Sequence, residues 1–197
     1  MKIAIHQPNF IPWFPFFYKM ALVDKFILLE YVQFEKNNFQ NRFNYKGKWI
    51  TKPVVNGNCR IIDKDYVGLK DDKYWDGRSL KNLNVKWIEC LKDTLDIKTT
   101  LETDYIHNME GLTFDTPTHR LMDLLKWYKA DTYVTNPEAK DKYLDEKLLT
   151  DNGFEIEYCA VPRHLRKSTF EILEEYGIEG AIKQLPKRKH AELEAVL

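Results

Sequence analysis

The sequence predicts an α/β fold: one domain, residues 1–197, with a mostly parallel sheet of Rossmann-like type and an inserted β-hairpin. Three observations carry this prediction. The first 34 residues pass from strand to loop to helix to strand pattern, the spacing of a parallel βαβ unit. The C-terminal half repeats the alternation, with helical stretches around the short β-prone runs DTYVTN and GFEIEYCAV. Between the halves, YKGKWITKPVV sets a Lys-Gly turn between β-prone flanks and reads as a hairpin. A chain of 197 residues fits one domain and can bury a core without staples.

The elements follow in order. Residues 2–5, KIAI, read as a buried strand. Residues 12–24, PWFPFFYKMALVD, have helical apolar spacing, and Pro12 or Pro15 suits the first turn. Residues 25–34 are β-rich and predict a second strand, and 35–44, EKNNFQNRFN, a polar loop. The hairpin spans 45–55, and residues 56–78, broken by Gly and Asp, carry no clear pattern. Residues 79–95 predict an amphipathic helix with Ser79 as its cap. Residues 99–114 suggest only a short strand. Thr116 and Pro117 open a helix over 116–129, and a strand ends at Asn136. A helix or helical turn from Pro137 to 150, a strand over 153–161 and a helix over 168–176 capped by Ser168 complete the alternation. The tail KRKHAELEAVL is of mixed charge and predicts a last helix or a frayed end.

Composition excludes several function classes. Net charge is zero, so nothing drives general binding to nucleic acid. Three cysteines, Cys59, Cys90 and Cys159, form no CxxC pair, which argues against a disulfide framework or a zinc knuckle and for a reducing compartment. No apolar run approaches the roughly 18 residues of a membrane span, and the N-terminus lacks the pattern of a secretory signal. A cytoplasmic protein without membrane contact is expected. Aromatics reach 14% and often neighbour polar residues, as on a ligand-binding surface. There is no GxSxG, Walker-type, GxGxxG or HExxH motif, so neither a cofactor nor a metal is expected. His107, His119, His164 and His190 are scattered; His164, in the basic loop VPRHLRK, could reach a site at the strand ends.

In open parallel sheets ligands bind beyond the carboxyl ends of the strands. His6, Gln7 and Asn9 follow the first strand, Gln33, Lys36, Asn41 and Arg42 the second, and Asn136 the DTYVT strand. Taken singly, each has an ordinary structural use: a hydrogen-bonded histidine, amides that satisfy loop backbone, solvated cations. Seven polar residues in two loops exceed what turns need. The helix starts at 12–15 and 137–140 would add an anion-binding pole. Trp13 serves either the core or a stacking platform.

The stretch IHQPNFIPWFPFFYKMALVDKFILLEYVQFEKNNFQNR resembles the WbqC-like family. Its members open with His-Gln-Pro after a strand, then Pro-Trp, a Lys, Val-Gln, a Lys and an Asn-Arg pair. His6, Gln7, Pro8, Asn9, Pro12, Trp13, Lys19, Val32, Gln33, Lys36, Asn41 and Arg42 match that order. WITKPV is similar to the family's tryptophan-bearing strand, and Tyr133, Tyr143, Leu144, Asp145, Gly153 and Glu157 follow a looser second motif. Pro15 stands where the family usually has glycine, Glu30-Tyr31 where it has Asp-Asp, and Thr135-Asn136 where it has Ser-Gly.

The resemblance implies a role in O-antigen or other surface-polysaccharide precursor synthesis. The expected activity is transfer of an acyl or aminoacyl group to the amine of a nucleotide-linked amino sugar. His6 would be the base, with Gln7 and Asn9 as donors in a catalytic set. Trp13, Lys19, Glu30, Gln33, Lys36, Asn41, Arg42 and Asn136 would bind substrate. Expected partners are a nucleotide-linked sugar or other small phosphorylated ligand, and an acyl or aminoacyl donor on CoA or a carrier protein. Two rival readings remain: nucleotidyl transfer or adenylate formation, and a non-catalytic module that binds a sugar nucleotide or carrier protein.

Overall fold

A computed structural model describes residues 1–69, 78–104 and 114–187. In chain order its elements are β1 (Lys2–His6), α1 (Phe14–Ala21), β2 (Lys25–Leu28), β3 (Arg42–Tyr45), β4 (Lys48–Thr51), α2 (Leu80–Thr94), β5 (Thr100–Thr103), α3 (Pro117–Trp127), β6 (Thr132–Thr135), α4 (Glu146–Asp151), β7 (Glu155–Tyr158) and α5 (Thr169–Gln184). Five strands form one sheet in the order β5-β2-β1-β6-β7, every pairing parallel. β3 and β4 form a separate antiparallel hairpin. The mixed α/β class with a parallel sheet and an inserted hairpin is therefore as predicted.

The strands are short and apolar because helices cover both faces of the sheet. Ala4, Phe26, Leu28 and Val134 pack with α1, α2 and α5 on one face. Ile3, Ile5, Ile27 and Tyr133 pack with α3 and α4 on the other. Alternate side chains along a strand point to opposite faces, so each strand divides its residues between two cores. α1 contributes Phe14, Phe16, Phe17 and Met20, all fully buried or nearly so. Lys19 of the same helix is buried with them, at 3% exposure.

Local chemistry sets most element ends. Thr116 caps α3 by accepting from His119 N, Asp145 caps α4 through Leu148 N, and Ser168 and Glu171 make a reciprocal capping box on α5. The hairpin turns at Lys46 and Gly47, both at positive φ (49° and 77°), the geometry that matches strand twist.

Several boundaries differ from expectation. β1 includes His6 rather than ending before it. α1 is shorter than 12–24, with Trp13 at the N-cap and Pro15 in the first turn. The second strand stops at Leu28, not 34, because the Asp104 carboxylate takes Glu30 N at 2.7 Å and turns the chain out of the sheet. The hairpin begins at Arg42, inside the expected polar loop. Ser79 occupies the N-cap of α2 but does not make the capping bond through its side chain; Leu80 N is taken by Lys64 O at 2.7 Å instead. The helix expected over 137–150 is a 3₁₀ turn, Pro137–Ala139, followed by α4. The strand over 153–161 shortens to β7. α5 continues well past 176, to Gln184, through a kink at Gly177, whose φ of 66° glycine alone adopts without strain. Most of the ambiguous 99–114 stretch, the end of the 56–78 stretch, His107, His190 and nearly all of the tail lie outside the described residues.

One buried amide ties the first two post-strand loops together. Asn84 of α2 donates to Pro8 O at 2.8 Å and to Gln40 O at 2.7 Å, and accepts from the Tyr66 hydroxyl at 2.8 Å. It is fully buried, so these groups have no water to fall back on. Asn84→Leu is expected to lower unfolding stability by about 2 kcal/mol or more, since it strips donors from buried carbonyls. Urea denaturation checks this; an unchanged midpoint would contradict the clip.

Candidate functional site

β1 and β6 part company early. β1 pairs with β2 through the whole strand, to His6↔Leu28, and β6 with β7 to Thr135↔Tyr158. The β1–β6 pairing stops at Ile3↔Tyr133. Carried further, that register would set His6 against Asn136, where no ladder pair is formed. Helices leave β1 toward one face and β6 is entered from the other, so β1 and β6 flank the switch point of the sheet, the place where open α/β sheets form a crevice beyond the carboxyl ends.

His6 stands at this opening, on the α1 side of the sheet. Its ring meets Phe16 edge-on at 5.0 Å and lies nearly parallel to Phe26 at 6.4 Å. Nδ1 is 2.9 Å from Gln7 O. A carbonyl only accepts, so Nδ1 carries the proton and Nε2 keeps its lone pair. Burial pushes the imidazole pKa down to about 3, the Lys19 ammonium lowers it further, and the Gln7 carbonyl resists. His6 is neutral at any physiological pH.

Lys19 is the unusual member. Its ammonium sits 5.8 Å from the Phe26 ring centre. Among the described residues it has no hydrogen-bond acceptor and no ion pair within reach. Burial lowers its pKa to about 8, against the pull of Cys159 and Glu138. Cys159, one residue past β7, is buried and donates its N–H to Thr135 O at 2.8 Å. Burial raises its thiol to about 11, with Lys19 opposing, so it stays protonated. Lys19 thus couples electrostatically to groups at the ends of β1, β6 and β7 alike.

The remaining predicted residues separate into two groups. Asn9 is buried and Asn136 partly so, and neither amide makes a hydrogen bond among the described residues. With His6 and Lys19 they belong to the strand ends. Gln7 is already engaged, accepting from Gln40 at 2.8 Å and donating to Glu35 at 3.3 Å. Asn41 holds the hairpin, donating to Lys52 O at 3.0 Å. Gln33 donates to Asn58 and to Cys59 O, each at 2.7 Å. Glu30 is buried near Lys81 (3.6 Å) and Asp104, on the β2–β5 flank, and burial raises its carboxyl pKa.

Arg42 and Trp13 belong to an aromatic ladder on the hairpin side. Trp13 stacks on Phe39 at 5.7 Å, Phe39 meets Trp49 at 5.3 Å, and the Arg42 guanidinium covers Trp49 at 4.2 Å. Arg42 also donates to Asn37 O. Lys36 is exposed on the same loop.

The expected anion-binding helix starts are not there. Phe14 N donates to Lys167 O at 3.0 Å, Pro15 has no N–H, and Phe16 N is taken by Trp13 O at 3.0 Å. The α1 N-terminus is sealed by the segment before α5. At 137–140 there is one 3₁₀ turn, too short for a helix pole. Sequence reasoning also missed Glu138 and Cys159, although the strand-end rule applied to β6 and β7 reaches both. Gln40 and Asn84 left no sequence signal. Among the described residues no group of three His, Cys, Asp or Glu could hold a metal, and no helix is long and apolar enough to cross a membrane.

The sequence pattern of the WbqC-like protein family matches residues 7–81 and 72–171. The chain belongs to the WbqC-like family. The matched span takes in Asn9, Lys19, Asn136 and Cys159 and begins one residue after His6. This WbqC-like chain is also similar to the uncharacterized protein Rv1507c of Mycobacterium tuberculosis (strain ATCC 25618 / H37Rv), at 27% identity over 76% of this chain and 78% of that one. No solved structure matches it.

The His6 environment makes a pH prediction. Folded His6 stays neutral down to about pH 3, whereas the unfolded imidazole protonates near 6.5. The unfolded state binds more protons between these values, so stability falls as pH drops from about 6.5 toward 3. The loss in urea midpoint between pH 7 and 4.5 should be smaller in His6→Gln than in wild type. An imidazole resonance of His6 titrating near 6.5 would contradict the assignment.

Proposed function

We propose that this WbqC-like protein is a cytoplasmic transferase of surface-polysaccharide precursor synthesis. It would move an acyl or aminoacyl group from a thioester donor, CoA or a carrier protein, to the amine of a nucleotide-linked amino sugar. The observation that supports a reactive site is the pair at the β1 strand end: a neutral imidazole with Nε2 free to accept, and a buried lysine, Lys19, without a hydrogen-bond acceptor among the described residues, whose charge acts on it.

In the step proposed, the amine lone pair attacks the acyl carbonyl and a C–N bond forms. His6 Nε2 takes the amine proton, the tetrahedral oxyanion collapses, the C–S bond breaks, and the thiolate leaves with that proton. A base must be neutral to act, and His6 is neutral at working pH. Asn9 and Asn136 carry uncommitted N–H donors for the oxyanion. Lys36 and Arg42, on the adjoining loop and hairpin, are cations available to nucleotide phosphates, and Trp49, 48% exposed, offers a ring for stacking.

The weak basicity of His6 favours one alternative, a module that binds the same ligands without turnover. One assay separates the two. Purified protein is incubated with acyl- or aminoacyl-thioesters and nucleotide-linked amino sugars, and the sugar is weighed by mass spectrometry. The transferase reading expects an N-acylated product and a loss of about 10²- to 10⁴-fold in rate for His6→Ala. Full activity in His6→Ala removes His6 as base, and no product with any donor leaves the binding module.

A further inference from the structure

The crevice between β1 and β6 occupies the place where doubly wound sheets bind dinucleotides, yet it lacks what phosphates need there. That chemistry uses a glycine-rich turn and free N–H groups at a helix start. The turn here, QPNFIPW, has no glycine. The first-turn N–H groups of α1 are taken by Lys167 O and Trp13 O or missing at Pro15. Lys2, at the far end of β1, is paired with Glu157. Among the described residues, the buried cation beside this turn is Lys19, 97% removed from solvent and walled by Phe26.

A buried cation with no partner is costly, and a protein keeps one where a ligand supplies the countercharge. Its position follows from its neighbours: it depresses the His6 pKa at the end of β1 and acts on the Cys159 thiol past β7, while Glu138 past β6 acts on it. The unengaged amides of Asn9 and Asn136 follow two of the same strand ends.

We propose that the β1–β6 crevice is a monoanion site built around Lys19, which takes a carboxylate-sized group and excludes the phosphates of a nucleotide. One ammonium with neutral amide donors, and with Glu138 already acting on it, can compensate at most a single negative charge; a diphosphate would bring more charge than these groups can offset. The role of the site rests on the transferase reading, in which the group held there is the acyl carbonyl, whose oxygen is charged in the tetrahedral intermediate. A free carboxylate imitates that oxygen. The nucleotide then lies outside the crevice, toward Lys36, Arg42 and Trp49.

Binding is proton-linked. Lys19 must be charged to hold the ligand, and burial lowers its pKa to about 8. The groups facing it are His6, neutral here, Cys159, protonated up to about 11, and Glu138. Affinity should be flat below pH 8 and fall about tenfold per unit above it.

The test is thermal shift and calorimetry on the full chain with acetate, glycine, inorganic phosphate and pyrophosphate at constant ionic strength, from pH 6 to 9. Saturable stabilisation by acetate or glycine is expected, lost in Lys19→Met and declining above pH 8, with no saturable effect of either phosphate. Lys19→Met should fold, and melt no lower than wild type, because a methionine is the better tenant of an apolar site; Asn9→Ala tests the amide that follows β1 and should weaken binding about tenfold. Tighter binding of phosphate or pyrophosphate, carboxylate binding that survives Lys19→Met, or no carboxylate binding at all overturns the proposal. These outcomes read binding alone, so they leave turnover on amino sugars as a separate question.

Discussion

The parting of β1 from β6 after Ile3 and Tyr133 is the constraint on which the rest depends. In a parallel sheet every strand is followed by a crossover on one face or the other. The crossover helices on the β2 side of β1, α1 and α2, lie on one face of the sheet, and those on the β6 side, α3 and α4, on the other. At β1 the winding changes face, so no connection bridges the two carboxyl ends and the gap stays open. Whatever side chains border it are held by secondary structure rather than by flexible loop. His6 is still strand and Lys19 is still helix, each fixed by packing against Phe16 or Phe26.

Within that frame, polarity is rationed by hydrogen bonding. The loop after β1 and the loop after β2 are stitched through Asn84, through Gln7 with Gln40, and through Phe10 N to Phe39 O at 2.9 Å. Stitching consumes amides, which is why so many of the polar residues after the strands turn out to be engaged. Asn9 and Asn136, at the ends of β1 and β6, are among those left over. The lowered pKa values of Lys19 and His6 have one leading origin, burial in apolar surroundings where each prefers to be neutral, and the Lys19 charge lowers His6 further.

Strand and helix periodicity identified nearly every described element. Errors fell at ends, where the decisive partner is remote. The Asp104 carboxylate that stops β2 lies 74 residues from Glu30, and the Lys167 carbonyl that seals α1 belongs to the approach to α5. Gly177 kinks α5 without ending it, since a positive φ suits glycine and the helical pattern resumes beyond. At the site, the strand-end rule singled out His6, Asn9 and Asn136, and the family pattern added Lys19. Neither indicated that Gln7, Gln33 and Asn41 would be spent on their own backbone and loops.

The sequence by itself determined the alternation of strand and helix, hence a parallel sheet with its polar residues beyond the strand ends, and it determined family membership. These are local or ordered along the chain: apolar periodicity, caps, a Lys-Gly turn, a His-Gln-Pro motif. Only the tertiary structure decided which polar groups are free to act. That depends on carbonyls and carboxylates brought from dozens of residues away, and on the burial that sets the charge of His6, Lys19 and Cys159. Burial and long-range pairing have no period in the sequence, so they become readable only once the sheet is assembled.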